Sequence, residues 1–252
     1  MRSPALLAAA LAVPLLTACL SSPQGSADAS PDGEVGDDDG GRLDDPDGAI
    51  PGILLDLPFE GTTASRTGVD PLIETSVDFV EAMEGQGAFL ASPAELVYPE
   101  GTLLPSAGSI DLWLQPNWAG DDATVHRILV WGDDIGVIAL MRDGANNLRF
   151  IINLGGGAGD FPERGVGVST NDPNWFAGSW HRISATWGAD GIHMWIDGEL
   201  VESEEMPPVE DVARPLWIGS TDTEQHLDGV IDELRVFGVQ LGGGEVSPAG
   251  GG

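Results

Sequence analysis

With 252 residues, 42% of them hydrophobic, the chain can bury the core of one ordinary β-sandwich plus short extras. Its formal charge is −31, from 41 acidic residues against ten basic ones, and every basic residue is arginine. That balance excludes a nucleic-acid partner and charge-driven adhesion to anionic headgroups, both of which need clustered cations; it suits divalent cations or cationic partners.

Residues 1–18, MRSPALLAAALAVPLLTA, read as an export signal. Arg2 supplies the charged start, and Ala5 to Leu16 an apolar run too short to span a bilayer. Cys19 is the sole cysteine, so no internal disulfide can form. Leu16-Thr17-Ala18-Cys19 resembles the bacterial lipobox. The resemblance implies cleavage before Cys19, a diacylglycerol thioether on it and stable anchoring by two or three acyl chains. Leu20 stands where some lipoproteins carry the Asp that retains them at the inner membrane, which points to the outer membrane or cell surface. Residues 19–50 then form an acidic linker of Ser, Pro, Gly and Asp, read as a disordered tether because it cannot bury enough apolar surface to order itself. Within it, Asp28, Ser30, Asp32, Gly33 and Asp39 match EF-hand loop positions. Pro31 inside that loop and the lack of flanking helices make a solvated acidic run the better reading.

From residue 51 the pattern changes to short apolar strands between turn residues. Gly52 to Phe59 reads as a first strand, and residues 61–77 as a polar loop. Strands follow at Gly85–Leu90, Glu95–Tyr98, Gly108–Gln115, Val125–Trp131, Gly136–Arg142 and Asn147–Leu154. Residues 155–177 read as a long loop rich in Gly, Asp and Asn.

Gly178 to Ser203 organises the rest. Arg182, Ser184 and Thr186 alternate with Ile183, Ala185 and Trp187; Ile192, Met194 and Ile196 alternate with His193 and Trp195. Gly188-Ala189-Asp190-Gly191 makes one turn, and Asp197-Gly198 is a strong hairpin signal. Pro215–Ser220 and Gly229–Phe237 close the series, before a Gly-, Ser- and Pro-rich tail over 241–252 that reads as disordered. About a dozen strands and no long helix predict an all-β, two-sheet antiparallel jelly-roll sandwich over residues 51–240.

Several motifs carry a family resemblance. They are Gly85-Gln86-Gly87-Ala88-Phe89-Leu90, Gly108-Ser109-Ile110-Asp111-Leu112-Trp113, Trp180-His181, Thr186-Trp187, Asp197-Gly198, Ile218-Gly219 and Gly229-Val230-Ile231-Asp232-Glu233. In order and spacing the chain resembles the laminin-G-like jellyroll domains of the concanavalin A-like lectin/glucanase superfamily, over roughly residues 52–240. That fold hosts lectins, adhesive modules, glycosidases and accessory domains, so function must come from sites. The resemblance also implies one calcium ion tying the first strand to the last. Its oxygens would come from near Phe59 or Glu60, from near Gly85 or Gly87, and from Asp232.

The candidate ligand-binding residues are tryptophans, whose large apolar faces stack on sugar rings. Trp113, Trp131 and Trp195 alternate away from apolar neighbours, while Trp118 and Trp175 lie in loops where a cleft could form. Trp180, Trp187 and Trp217 read as core or lid residues. No strand carries the Glu-x-Asp-x-x-Glu spacing of glycosidases on this fold, and Gly-x-Ser-x-Gly and His-Glu-x-x-His are absent. His126, His181, His193 and His226 show no metal spacing. The expectation is a non-catalytic, monomeric binding module for carbohydrate or glycoprotein, exported and held at a bacterial membrane only by its lipid. A structural or adhesive protein-interaction domain is the alternative, and a divergent glycoside hydrolase a more distant one.

Overall fold

The computed structural model describes residues 52–132, 138–152, 164–170, 175–206, 213–220 and 225–246. Among them the strands are β1 (Ile53–Leu57), β2 (Ile73–Thr75), β3 (Asp78–Glu81), β4 (Gln86–Leu90), β5 (Glu95–Tyr98), β6 (Gly108–Pro116), β7 (His126–Trp131) and β8 (Ile138–Arg142). They continue with β9 (Asn147–Ile152), β10 (Arg164–Ser169), β11 (His181–Gly188), β12 (Gly191–Ile196), β13 (Glu199–Glu204), β14 (Leu216–Ile218) and β15 (Gly229–Phe237). One helical turn, α1 (Gly243–Val246), follows.

The strands form two antiparallel sheets. The eight-stranded sheet runs β13-β12-β11-β6-β15-β4-β3, with β1 also paired to β15; the seven-stranded sheet runs β10-β9-β8-β7-β14-β5-β2. Period-two alternation explains their shared interior. Leu112, Ile183, Met194 and Ile231 come from one sheet and Leu129, Leu140, Phe150 and Ile218 from the other, all essentially without solvent contact. The first strand therefore lies beside the last, as the sandwich reading requires.

The turns follow local chemistry. Asp197 and Gly198 both take positive φ (52° and 84°), as a hairpin between β12 and β13 demands. Asp197 also ties that turn to β11 by accepting the Arg182 amide N–H at 2.8 Å.

Three stretches differ from the sequence expectation. The 61–77 stretch contains β2, a three-residue edge strand too short to show alternation. The 155–177 stretch contains β10, whose Arg-Gly-Val-Gly-Val-Ser sequence hides a strand among glycines; Val166 is its core contact. The start of the 241–252 tail forms α1, and Gly243 packs so close that a β-carbon there would lie 3.4 Å from Nε1 of Trp195.

Two glutamates of β13 find their partners on β10. It is an edge strand, and its Gly165 and Gly167 amides point away from β9. Glu204 accepts the Gly165 N–H at 2.8 Å, and Glu202 accepts that of Gly167. Both glutamates stand on β13, the edge of the other sheet, so their carboxylates close one side of the sandwich and cover a row of unpaired donors.

Candidate functional site

The outward face of the seven-stranded sheet breaks the usual rule for sandwiches, in which the solvent side of each strand is polar. One cross-strand row runs Ile73, Val97, Trp217, Val130, Ala139, Ile151, Gly165, each residue in register with the next. It crosses all seven strands with no polar side chain. Val130, Ala139 and Ile151 form a second hydrophobic cluster, separate from the core and itself buried, with Met141 and Trp217 packed half-buried against them. Beside this row runs a cationic one, Arg127–Met141–Arg149, again in register. Arg127 donates its Nε–H to Gln225 at 2.7 Å, and Arg149 approaches Asp143 at 3.9 Å.

The outward face of the eight-stranded sheet is different. Its corresponding row is Leu200, Trp195, Ser184, Asp111, Arg235, Asp56. Arg182 grips Asp111 through two hydrogen bonds of 3.0 and 2.6 Å, and Ser184 donates to the same carboxylate at 2.6 Å. Arg235 pairs with Asp56 at 3.5 Å and donates to Glu233, while Arg66 lies 3.8 and 3.9 Å from those two acids. The carboxylates on this face are thus neutralised by guanidinium groups.

The five candidate tryptophans divide between these places. Trp113 and Trp195 do share one outward face, two strands apart, or about 10 Å. Trp113 is half-buried, and Trp195 is only 8% exposed, covered by Gly243 and by His193 tilted against it at 5.6 Å. Trp131 does not join them. The register of β7 slips at Ile128, a bulge that turns Leu129 and Trp131 into the core and Val130 outward. Trp118 and Trp175 come together, but as a buried stack and not an open cleft. His126, Trp118, Trp175 and His181 stack in that order, with centroids 5.0, 6.3 and 4.1 Å apart. Trp217 was missed as a surface residue because a three-residue strand, Leu-Trp-Ile, gives no phase.

The column is capped at both ends by carboxylates, Asp122 on His126 at 3.2 Å and Asp197 on His181 at 2.9 Å. Its interior is locked by Arg142, whose guanidinium lies 5.1 Å from the Trp118 ring centroid. The amide and hydroxyl of Thr124, with His126, hold the Asp122 carboxyl down at about 2. Burial would raise Asp197, but His181 and the Arg182 amide outweigh it and keep it below the usual range. Groups depressed on folding supply stability that is full above their unfolded values, near 4, and is lost as pH falls through the folded ones. Urea melts between pH 5 and pH 2 should therefore show the Asp122→Asn, Asp197→Asn double variant losing less stability over that range than the native chain. Parallel curves would contradict this.

The proposed calcium ligands do meet. Asp232 is fully buried on β15; its two oxygens accept the amides of Glu84 and Glu233, both at 2.9 Å. Burial pushes its carboxyl up, the two amides pull it back, and the neighbouring Glu60 and Glu84 carboxylates add to the rise. The Glu60 carboxylate accepts the Gln86 N–H at 3.2 Å and occupies the space over Gly85, where a β-carbon would stand 2.2 Å from Oε1. Phe59, Gly61, Gly85 and Glu233 all take positive φ, so irregular backbone crowds this corner. Gly87 is different: it lies inside β4, 2.9 Å from the Ile231 carbonyl if given a β-carbon, so its role there is close strand packing. Among the described residues no three Asp, Glu, His or Cys side chains converge on one metal position. The Glu60 and Asp232 carboxylates and the turn carbonyls beside them are oxygen donors of the kind a hard ion takes.

Two antiparallel sheets sharing one interior, with first and last strands adjacent, define a jelly-roll sandwich of the lectin-like class. A family model described as the concanavalin A-like lectin/glucanases superfamily (Laminin_G_3) matches residues 91–247, and the chain belongs to that family. No curated protein matches the sequence. Similar solved structures include the receptor binding domain of botulinum neurotoxin type G, with TM-score 0.60 and 13% identity over 77% of this chain and 49% of that one. The binding domain of botulinum neurotoxin DC, solved in complex with rat synaptotagmin II, gives TM-score 0.61 and 12% identity over 77% and 50%. A structure titled for the dependence of botulinum neurotoxin type C cell entry on two ganglioside molecules gives 0.62 and 13% over 77% and 50%. The chain spans about half the length of each, and at this identity the likeness is one of fold alone.

Proposed function

We propose that the chain is a non-catalytic binding module that takes carbohydrate or glycoconjugate on the outward face of the seven-stranded sheet. The observation that carries this reading is the apolar row across all seven strands, with the half-buried Trp217 on it. Val97, Val130, Ala139 and Ile151 of that row are themselves buried, so what the face offers a ligand is the half-buried indole of Trp217 with Met141 beside it, and an indole matches the C–H face of a sugar ring. The ganglioside and receptor partners in the titles of similar structures are in keeping with it. Against hydrolysis stands the pairing of Asp56, Asp111 and Glu233 with arginines, an arrangement of charge balance and not of an acid set across from a free carboxylate. In this reading Cys19 carries the lipid, residues 19–50 act as the tether, and one monomeric sandwich stands off the outer membrane or cell surface. Binding of the full-length chain to a glycan array tests it. Trp217→Ala should weaken binding at least about tenfold, and Trp113→Ala should not. A chain that binds no glycan, or binds through Trp113, contradicts the reading.

The Glu60–Asp232 corner belongs to the same proposal as a structural calcium site, where the ion would join the loop after β1 to β15. An ion bound only by the folded chain raises stability by mass action, about 2.7 kcal/mol at one hundred times its Kd. The melting temperature should therefore rise with millimolar calcium, fall with chelator, and stop responding in Asp232→Asn. Indifference of the native chain to both additions removes the site.

A further inference from the structure

The arginines of this chain are not spread evenly. Strands β7, β8, β9, β10 and β14 hold Arg127, Arg142, Arg149 and Arg164 and not one Asp or Glu. The strands of the other sheet hold nine acidic residues and only Arg182 and Arg235. Across the seven strands of the sheet carrying the apolar row the acidic residues are Glu74 on β2 and Glu95 on β5, and Asp143 stands in the β8–β9 turn beside Arg149.

Resting on the carbohydrate reading above, we infer that the Trp217 face takes a sparsely carboxylated glycan, a mostly neutral oligosaccharide with an occasional acidic sugar, whose ring stacks on Trp217 and whose carboxylate meets Arg127 and Arg149. The half-buried indole accepts the uncharged face of the sugar. Arg127 and Arg149 sit two strands apart, about 10 Å, on one side of that row. A guanidinium suits a carboxylate because its planar fork matches both oxygens. The density of charge is set by the rest of the molecule. A net charge of −31 repels a dense polyanion, while one carboxylate held at the arginines lies within a Debye length, about 8 Å, of them and is screened from more distant charges.

The test uses the full-length chain on an array of paired oligosaccharides: neutral, the same backbone with a single carboxylate, and a fully carboxylated or sulfated polymer. The monocarboxylated member should bind best, on the order of tenfold over its neutral partner. Arg127→Gln and Arg149→Gln should each erase that preference, bringing the monocarboxylated member down to the level of its neutral partner. Arg66→Gln, on the other sheet, should change nothing. Equal binding of neutral and monocarboxylated members, or a preference that survives both arginine variants, overturns this inference and leaves the carbohydrate reading standing. Strongest binding to the dense polymer overturns the inference as well. Silence across the whole array overturns both.

Discussion

Replacing Arg142 with methionine is expected to cost about 3–5 kcal/mol, because it orphans acceptors in several loops at once. The guanidinium is fully buried, and among the described residues its hydrogen bonds go to neutral oxygens. It donates to the carbonyls of Thr124 and Gly120 at 2.8 and 2.7 Å, to the Asn146 side chain, and to Thr170 Oγ1 at 3.3 Å. Burial pushes its pKa down, against the weaker pull of Asp122, Asp143 and Asp121, yet arginine stays charged where lysine would not. Methionine fills the volume and removes every donor. The Gly120 carbonyl keeps Thr170 as a partner, while the Thr124 carbonyl and the Asn146 side chain each lose a part-buried charged hydrogen bond. Arg142→Lys should recover little, since an ammonium cannot span the same fork. Urea unfolding followed by tryptophan fluorescence reads the loss, with Trp118 reporting from directly against the guanidinium. A midpoint within error of the native one would show that these loops hold without it.

Trp187→Ala should cost a similar amount, about 3–5 kcal/mol, by opening a cavity where the two sheets meet. Trp187 ends the core face of β11 without solvent contact and tilts against Phe150 of the other sheet at 5.5 Å. Its Nε1–H donates to the Leu104 carbonyl at 3.0 Å. The ring also fills the space over Gly108, where a β-carbon would stand 2.4 Å from Cζ2. For a domain of this size the melting temperature should drop on the order of 10 °C. Trp187→Phe should lose less, keeping part of the packing and giving up only the hydrogen bond and one ring. If alanine and phenylalanine cost the same, packing is not what the indole contributes.

The strands that sequence alone places well are those with clean alternation on one buried face. β6, β11, β12 and β15 have it, and together they form the middle of the eight-stranded sheet. The seven-stranded sheet was legible as strands but not as faces. His126–Trp131 and Ile138–Arg142 are continuous apolar runs, and a run without alternation cannot say which side is inward. The bulge at Ile128 then shifts the phase, which is why Trp131 went to the core and Val130 to the open side. For the same reason the row proposed as the binding face remained hidden: its strands are apolar on both sides, and its residues become a row only when six strand pairings set their register. The Glu60–Asp232 corner, proposed above as a calcium site, draws on the turn motifs Glu60-Gly61 and Gly85-Gln86-Gly87, whose local geometry was legible in the sequence. The column of Trp118, Trp175, His126 and His181 was not, since its members lie in separate loops and strands and meet only through the fold.

The most direct measurement is an NMR footprint of the full-length chain with a bound oligosaccharide from the array. The expected result is that amide shifts move on β14, β7, β8 and β9, centred on Trp217, Met141 and Arg149, with the Trp217 indole signal shifted most. Changes centred instead on Trp113, Arg182 and Asp111, or no shifts at saturating sugar, would contradict the placement of the binding surface on the seven-stranded sheet.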